Sequence, residues 1–183
     1  ALTSSQLGKL STTAISDFSA TQLTDLTSTQ VRGLTTTQVN SLATTELNAI
    51  EAADLSTAQV AGLTSTAAGN LSTTQLGDLT STQIGVLSTT ALNGLTSTVL
   101  QSFDTTQLGG VTAKQLAGLT TTAVDNFTTT QIGDLTSTQV QGFTTTQLNG
   151  LSTTSLNALD VTELSTTQIK GLNATGVDNL TDT

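Results

Sequence analysis

Residues 26–33 read LTSTQVRG, and Leu34 then opens the same pattern again. By position the unit is a large apolar residue, three Ser/Thr, Gln, an aliphatic residue, a variable residue, and Gly, Asn or Asp. We find 21 such octapeptides, beginning at Leu2, Leu10, Phe18, Leu26, Leu34 and Leu42, then at every eighth residue from Leu55 to Leu151, and at Leu164 and Leu172. A repeat that covers nearly the whole chain decides the architecture before any single residue does.

Three backbone conformations compete for this pattern. Apolar positions one and six have opposite parity, so a strand would send them to opposite faces. In an uninterrupted helix, eight residues overshoot two turns by about 80°, and the apolar stripe would spiral away from any partner. A short helix restarted in every unit agrees with the local chemistry. Position two carries a side-chain oxygen acceptor in 20 of 21 units, Ala43 being the exception, which is an N-cap preference. Gln or Glu follows three residues later in fourteen units, the spacing of a capping box. Positions one and six then fall at the two ends of a hydrophobic staple. Position eight is Gly, Asn or Asp in fifteen units, and these residues tolerate the left-handed conformation that stops a helix. The expectation is a capped helix of about six residues followed by a left-handed bend.

One octapeptide buries two aliphatic side chains worth about 1.5–3 kcal/mol each, against about 1.5 kcal/mol for ordering each of its residues. It cannot fold alone. Neighbouring units must supply the missing burial, as in other repeat arrays. The fold class expected is therefore all-α, a solenoid of very short capped helices, one per octapeptide, around a ladder core of Leu, Val and Ile.

A longer period overlies the octapeptide. The units of 119–150 match those of 63–94, and the chain divides as one array, 1–183, into super-repeats 2–54, 55–110 and 111–163 with a partial fourth at 164–183. Stepwise duplication explains them, and because the sequence begins and ends inside the pattern it reads as a piece of a longer array. Two super-repeats end in five-residue units, IEAAD (50–54) and LDVTE (159–163), each preceded by Ala at position eight, Ala49 and Ala158. Alanine is the best helix former, so helices are expected to run on past Ala49 and Ala158 and to end near Asp54 and Glu163. Glu51 with Asp54, and Asp160 with Glu163, form the only dense charge. They read as a solvated helix face, with a divalent-cation site as the alternative.

Composition narrows the function. Cys, His, Met, Trp, Tyr and Pro are absent, which removes disulfides, thiolate and imidazole metal sites and haem ligation. Every Ser or Thr lacks a base to activate it, and the acids include single ones at position eight (Asp17, Asp25, Asp78 and Asp134) rather than pairs in contrasting environments, so the chain is read as having no catalytic residue and no cofactor. The net charge is −9, with Lys9, Arg32, Lys114 and Lys170 scattered, so neither nucleic acid nor an anionic membrane is an expected partner. No apolar run reaches the roughly 20 residues of a membrane span, and membrane insertion is not expected. The glycines form neither a dinucleotide fingerprint, nor a P-loop, nor a calcium nonapeptide. Asn70, Asn126, Asn173 and Asn179 lie in glycosylation sequons, three of which the repeat generates by construction.

The units LTTTQV, LSTAQVAG, LSTTQI and LTSTQV resemble octapeptide arrays of very large secreted or surface-exposed bacterial proteins described as adhesin-like or haemolysin-like exoproteins. The resemblance implies an extracellular or cell-surface location and a stalk, spacer or adhesive role. Two readings follow. In one the array is a structural rod, fibre or layer whose partners are its own repeats and copies of itself. In the other the Ser/Thr at positions three and four form a hydroxyl face for a repetitive target such as a polysaccharide or ice.

Overall fold

The structure, a computed structural model, describes residues 2–180. Among these residues it is all-helical, with 21 α-helices of four to six residues and two three-residue 3-10 turns. Each octapeptide contributes one α-helix, always starting at position three. The chain divides into two compact units, Ala1–Leu95 and Thr96–Thr183, a boundary inside the second super-repeat.

Within each compact unit the helices stack three octapeptides apart. Ser4–Leu7 packs on Ser28–Val31, Thr12–Ser16 on Thr36–Ser41, and Ala20–Thr24 on Thr44–Leu47. In the second unit Ala113–Gly118 packs on Ser137–Val140, and Thr121–Asp125 on Thr145–Gly150. Three helices thus make one coil of a three-sided solenoid. Positions one and six fill its interior, as Leu34, Val39, Leu76, Leu79, Leu108 and Val111 do, each 3% exposed or less.

The capping box forms where the spacing predicts it, except at Glu46 and at Gln75, whose Oε1 accepts from Ala52 N–H instead. Gln38 N–H donates to Thr35 Oγ1 at 3.2 Å and Thr35 N–H to Gln38 Oε1 at 2.7 Å. Ala43 leaves its helix without a side-chain cap.

The exits differ from expectation. No described residue, glycine included, has a positive φ. Gly94 and Gly171 end their helices at φ −85° and −90°, in the right-handed region. The bend is made by the next two residues, which are both extended: Leu42 has φ −68°, ψ 137° and Ala43 φ −70°, ψ 167°. Glycine at position eight answers crowding between coils instead. A Cβ on Gly33 would lie 2.5 Å from Ser4 Cβ, one on Gly142 2.6 Å from Ala113 O, and one on Gly150 2.9 Å from Thr121 Cγ2. In each pair, position eight meets position three of the octapeptide three units earlier.

The read-through helices expected after Ala49 and Ala158 do not form. Thr44–Leu47 ends before Ala49, Thr153–Ala158 stops at Ala158, and separate 3-10 turns follow at Ala52–Asp54 and Val161–Glu163. Ile50 and Leu159, 2% and 4% exposed, take the extended position-one place in the core. Burying such a side chain is worth about 1.5–3 kcal/mol, more than the roughly 1 kcal/mol separating Ala from Gly in a helix, so burial overrides propensity. Each five-residue unit is a compressed octapeptide that fills one whole side of a coil. The turn Ala52–Asp54 packs between Ser28–Val31 and Thr73–Gly77.

Candidate functional site

Among the described residues the buried polar side chains stand at position five, and all but Ser155 are glutamines. Gln38, Gln59, Gln83, Gln131, Gln139 and Gln147 are all 7% exposed or less. The Oε1 of each closes the capping box of its own helix. Its Nε2 reaches the preceding coil, where a helix C-terminus leaves carbonyls without intrahelical partners. Gln38 Nε2 donates to Leu7 O at 2.9 Å and Leu10 O at 2.8 Å. Gln131 repeats this on Leu100 O and Phe103 O, both at 2.9 Å, and Gln139 on Leu108 O and Val111 O, both at 2.8 Å. A column of amides therefore stitches the corners between coils. The capping spacing identifies the Oε1 bond, whereas the Nε2 bonds require knowing how many units make a coil.

Position seven supplies a second set of ties. Asn40 Nδ2 donates to Gly62 O at 2.8 Å, and its Oδ1 accepts from Thr64 N–H at 3.0 Å. Asn149 does the same with Gly171 O and Asn173 N–H, and Asp125 Oδ1 accepts from Ser152 N–H at 3.2 Å. These recipients belong to octapeptides with Ala67, Gly176 or Ser155 at position five. In these three octapeptides the capping amide is missing and the backbone N–H is satisfied from the coil before; Asn48 Oδ1 accepts likewise from Ser72 N–H at 2.7 Å, where Gln75 Oε1 turns instead to Ala52 N–H.

Glu46 stands in a glutamine place without a glutamine's donors. Its Oε2 is buried with no hydrogen-bond partner. The carbonyls in register with its missing amide, 31 and 28 residues back by the Gln131 pattern, are those of Ile15 and Phe18.

The solvent face belongs to position four, which is Thr in 18 of 21 octapeptides. All of these threonines are exposed, and their hydroxyls make no hydrogen bond within the described residues. Position three is less open than expected where position eight of a later coil covers it, as Gly62 covers Thr36 and Gly171 covers Thr145.

The four acidic candidates are placed as two separate pairs. Glu51 is exposed, and Asp54 is half-buried with its backbone carbonyl receiving Arg32 Nε at 3.2 Å. Asp160 Oδ1 accepts from Thr162 N–H at 2.9 Å and Thr162 Oγ1 at 2.6 Å, bonds that hold its carboxyl below its ordinary pKa. Glu163 Oε1 accepts from Ser137 Oγ at 2.8 Å. Among the described residues no three His, Cys, Asp or Glu come together as a metal ion would need. No helix among them is long and apolar enough to cross a membrane. No known family model matches the chain, and no curated protein matches it.

Proposed function

We propose that this array is a structural or adhesive segment of a protein at the cell exterior, serving as stalk, spacer or self-assembling rod. The observation that carries the reading is the corner stitching by glutamine. Within each compact unit, glutamines of one coil donate to carbonyls of the coil before, and the same bond recurs along the stack, so the number of units, and with it the reach of the array, can change without changing the kind of joint. The exposed residues are mainly hydroxyls with no base to activate them. The extracellular part of the proposal rests on the octapeptide resemblance.

Two measurements test it. Antibodies against the array should label intact cells of the source organism; labelling only after lysis rejects the exterior location. Deleting one full coil, 119–142, should leave a chain with unchanged helical circular dichroism per residue. Collapse of the remaining helices would show that the units are not interchangeable modules.

A second reading is favoured by the threonines at position four. Thr is a mediocre helix former, and a merely soluble face has better choices. A face of free hydroxyls and methyls suits a repetitive hydroxylated target such as an insoluble polysaccharide or ice. Replacing Thr106, Thr130 and Thr154, which stand three octapeptides apart on one side of the solenoid, together by Lys should abolish co-sedimentation with such a solid through that face. Retention of binding removes this reading and leaves the first intact.

A further inference from the structure

A notch borders the first of the two shortened units. In the first compact unit, the turn Ala52–Asp54 is flanked by a hollow of about 420 Å³ bordered by Arg32, Ala53, Ser56, Thr57, Thr80 and Thr82. Arg32 is the only arginine of the chain. Its one side-chain hydrogen bond is from Nε to Asp54 O at 3.2 Å, and it makes no ion pair among the described residues. Both terminal guanidinium nitrogens are left without partners, although Glu51 and Asp54 lie on the adjoining turn. The Thr57 and Thr82 hydroxyls beside it are exposed and likewise unpaired.

The second compact unit shows what the fold itself requires at this place. There the shortened unit is 159–163, and the residue equivalent to Arg32 is Gln141. Gln141 Nε2 donates to Glu163 O at 3.3 Å, over the same 22-residue separation. A neutral amide is thus sufficient to tie a position-seven side chain to the shortened unit. Arg32 makes the same tie and adds a positive charge and a two-pronged donor edge facing a hollow lined with hydroxyls.

We propose that this notch binds the carboxylate of an acidic sugar, a uronate unit of an anionic polysaccharide. The two free guanidinium nitrogens match a carboxylate bidentately. Thr57 and Thr82 lie within the same hollow to meet ring hydroxyls, and the volume accommodates about one or two sugar rings. The site is discrete and single, so it stands or falls independently of whether the array is a spacer.

Titration of the 183-residue chain with a galacturonate trimer, followed by calorimetry and by the Arg32 and Thr82 NMR signals, tests this. The expected result is one site per chain, with maltotriose, its neutral counterpart, giving no heat. Arg32→Gln, which copies the residue that ties the second shortened unit, should weaken binding by about tenfold or more while the thermal melt stays in place. Gln141→Ala should leave binding unchanged. The proposal is overturned by equal affinity in Arg32→Gln, by loss of binding in Gln141→Ala, by acetate alone binding as well as the trimer, or by no heat at millimolar trimer.

Discussion

At the scale of the residue, glutamine at position five is chosen because its two ends differ. Oε1 accepts from the helix it belongs to, while Nε2 donates to the coil behind, so an acid cannot substitute without leaving oxygen facing oxygen. Glu46 is that substitution, and its octapeptide also carries Ala43, the one residue at position two without a side-chain acceptor. Ala43→Ser with Glu46→Gln should therefore stabilise the first compact unit by about 2–3 kcal/mol, roughly 1 for the cap and 1–2 for the buried amide, read as a rise in urea midpoint. An unchanged midpoint would mean that Glu46 has found another partner in solution. Conversely, Gln131→Ala strips donors from the buried carbonyls of Leu100 and Phe103 and should cost about 2–4 kcal/mol. Gln22→Ala should cost under about 1 kcal/mol, because Gln22 is exposed and its side chain bonds only within its own capping box. Equal losses at the two positions would remove the inter-coil amide from the account.

At the scale of the element, glycine and alanine exchange the roles that their conformational preferences suggest. Gly33→Ala should destabilise although its backbone is right-handed, because the added methyl would meet Ser4 Cβ at 2.5 Å. Gly109→Ala has nothing within 4 Å and lies inside Thr105–Gly110, so it should gain about 0.5–1 kcal/mol in the same denaturant assay. A reversed order would restore the bend explanation. The helix starts were legible from the sequence because Ser, Thr and Gln act within four residues of one another. The helix ends were misread for a complementary reason: what Gly33 and Gly62 avoid is Ser4 and Thr36, distant in sequence and adjacent only once three units close a coil. The same blindness hid the tie from Asn40 to Thr64 and misjudged Ala49, where the burial of Ile50 outweighs a local preference. Of the acidic candidates, Asp160 has a readable structural task. Its lowered pKa means that its contribution to the turn Val161–Glu163 is present above the unfolded value and fades as pH falls through the folded one. Acidification below about pH 3.8 should loosen this turn, and Asp160→Asn should remove that dependence from the Thr162 amide shift. A Thr162 signal that titrates identically in both proteins would assign the effect elsewhere.

At the scale of the whole molecule, two features of composition acquire a structural meaning. A net charge of −9 is carried almost wholly by side chains outside the core, and apart from Glu46 and Ser155 the interior polar side chains are neutral amides, so the stack is held without buried ion pairs among the described residues. Its stability should then respond weakly to salt. The amides also fix how either compact unit yields to force. Each coil is tied to the one behind it by a few short hydrogen bonds at its corners, which reach back 31 residues. Pulled from its two ends in an optical trap, such a stack should peel coil by coil, each rupture freeing three octapeptides and about 80 Å of extended chain. A coil that includes a five-residue unit is three residues shorter and should give a step smaller by about 10 Å. A single rupture releasing everything at once would contradict this. Stepwise yielding lets a tether lengthen under load and shorten again while its other coils stay closed, which makes the amide corners a shock absorber.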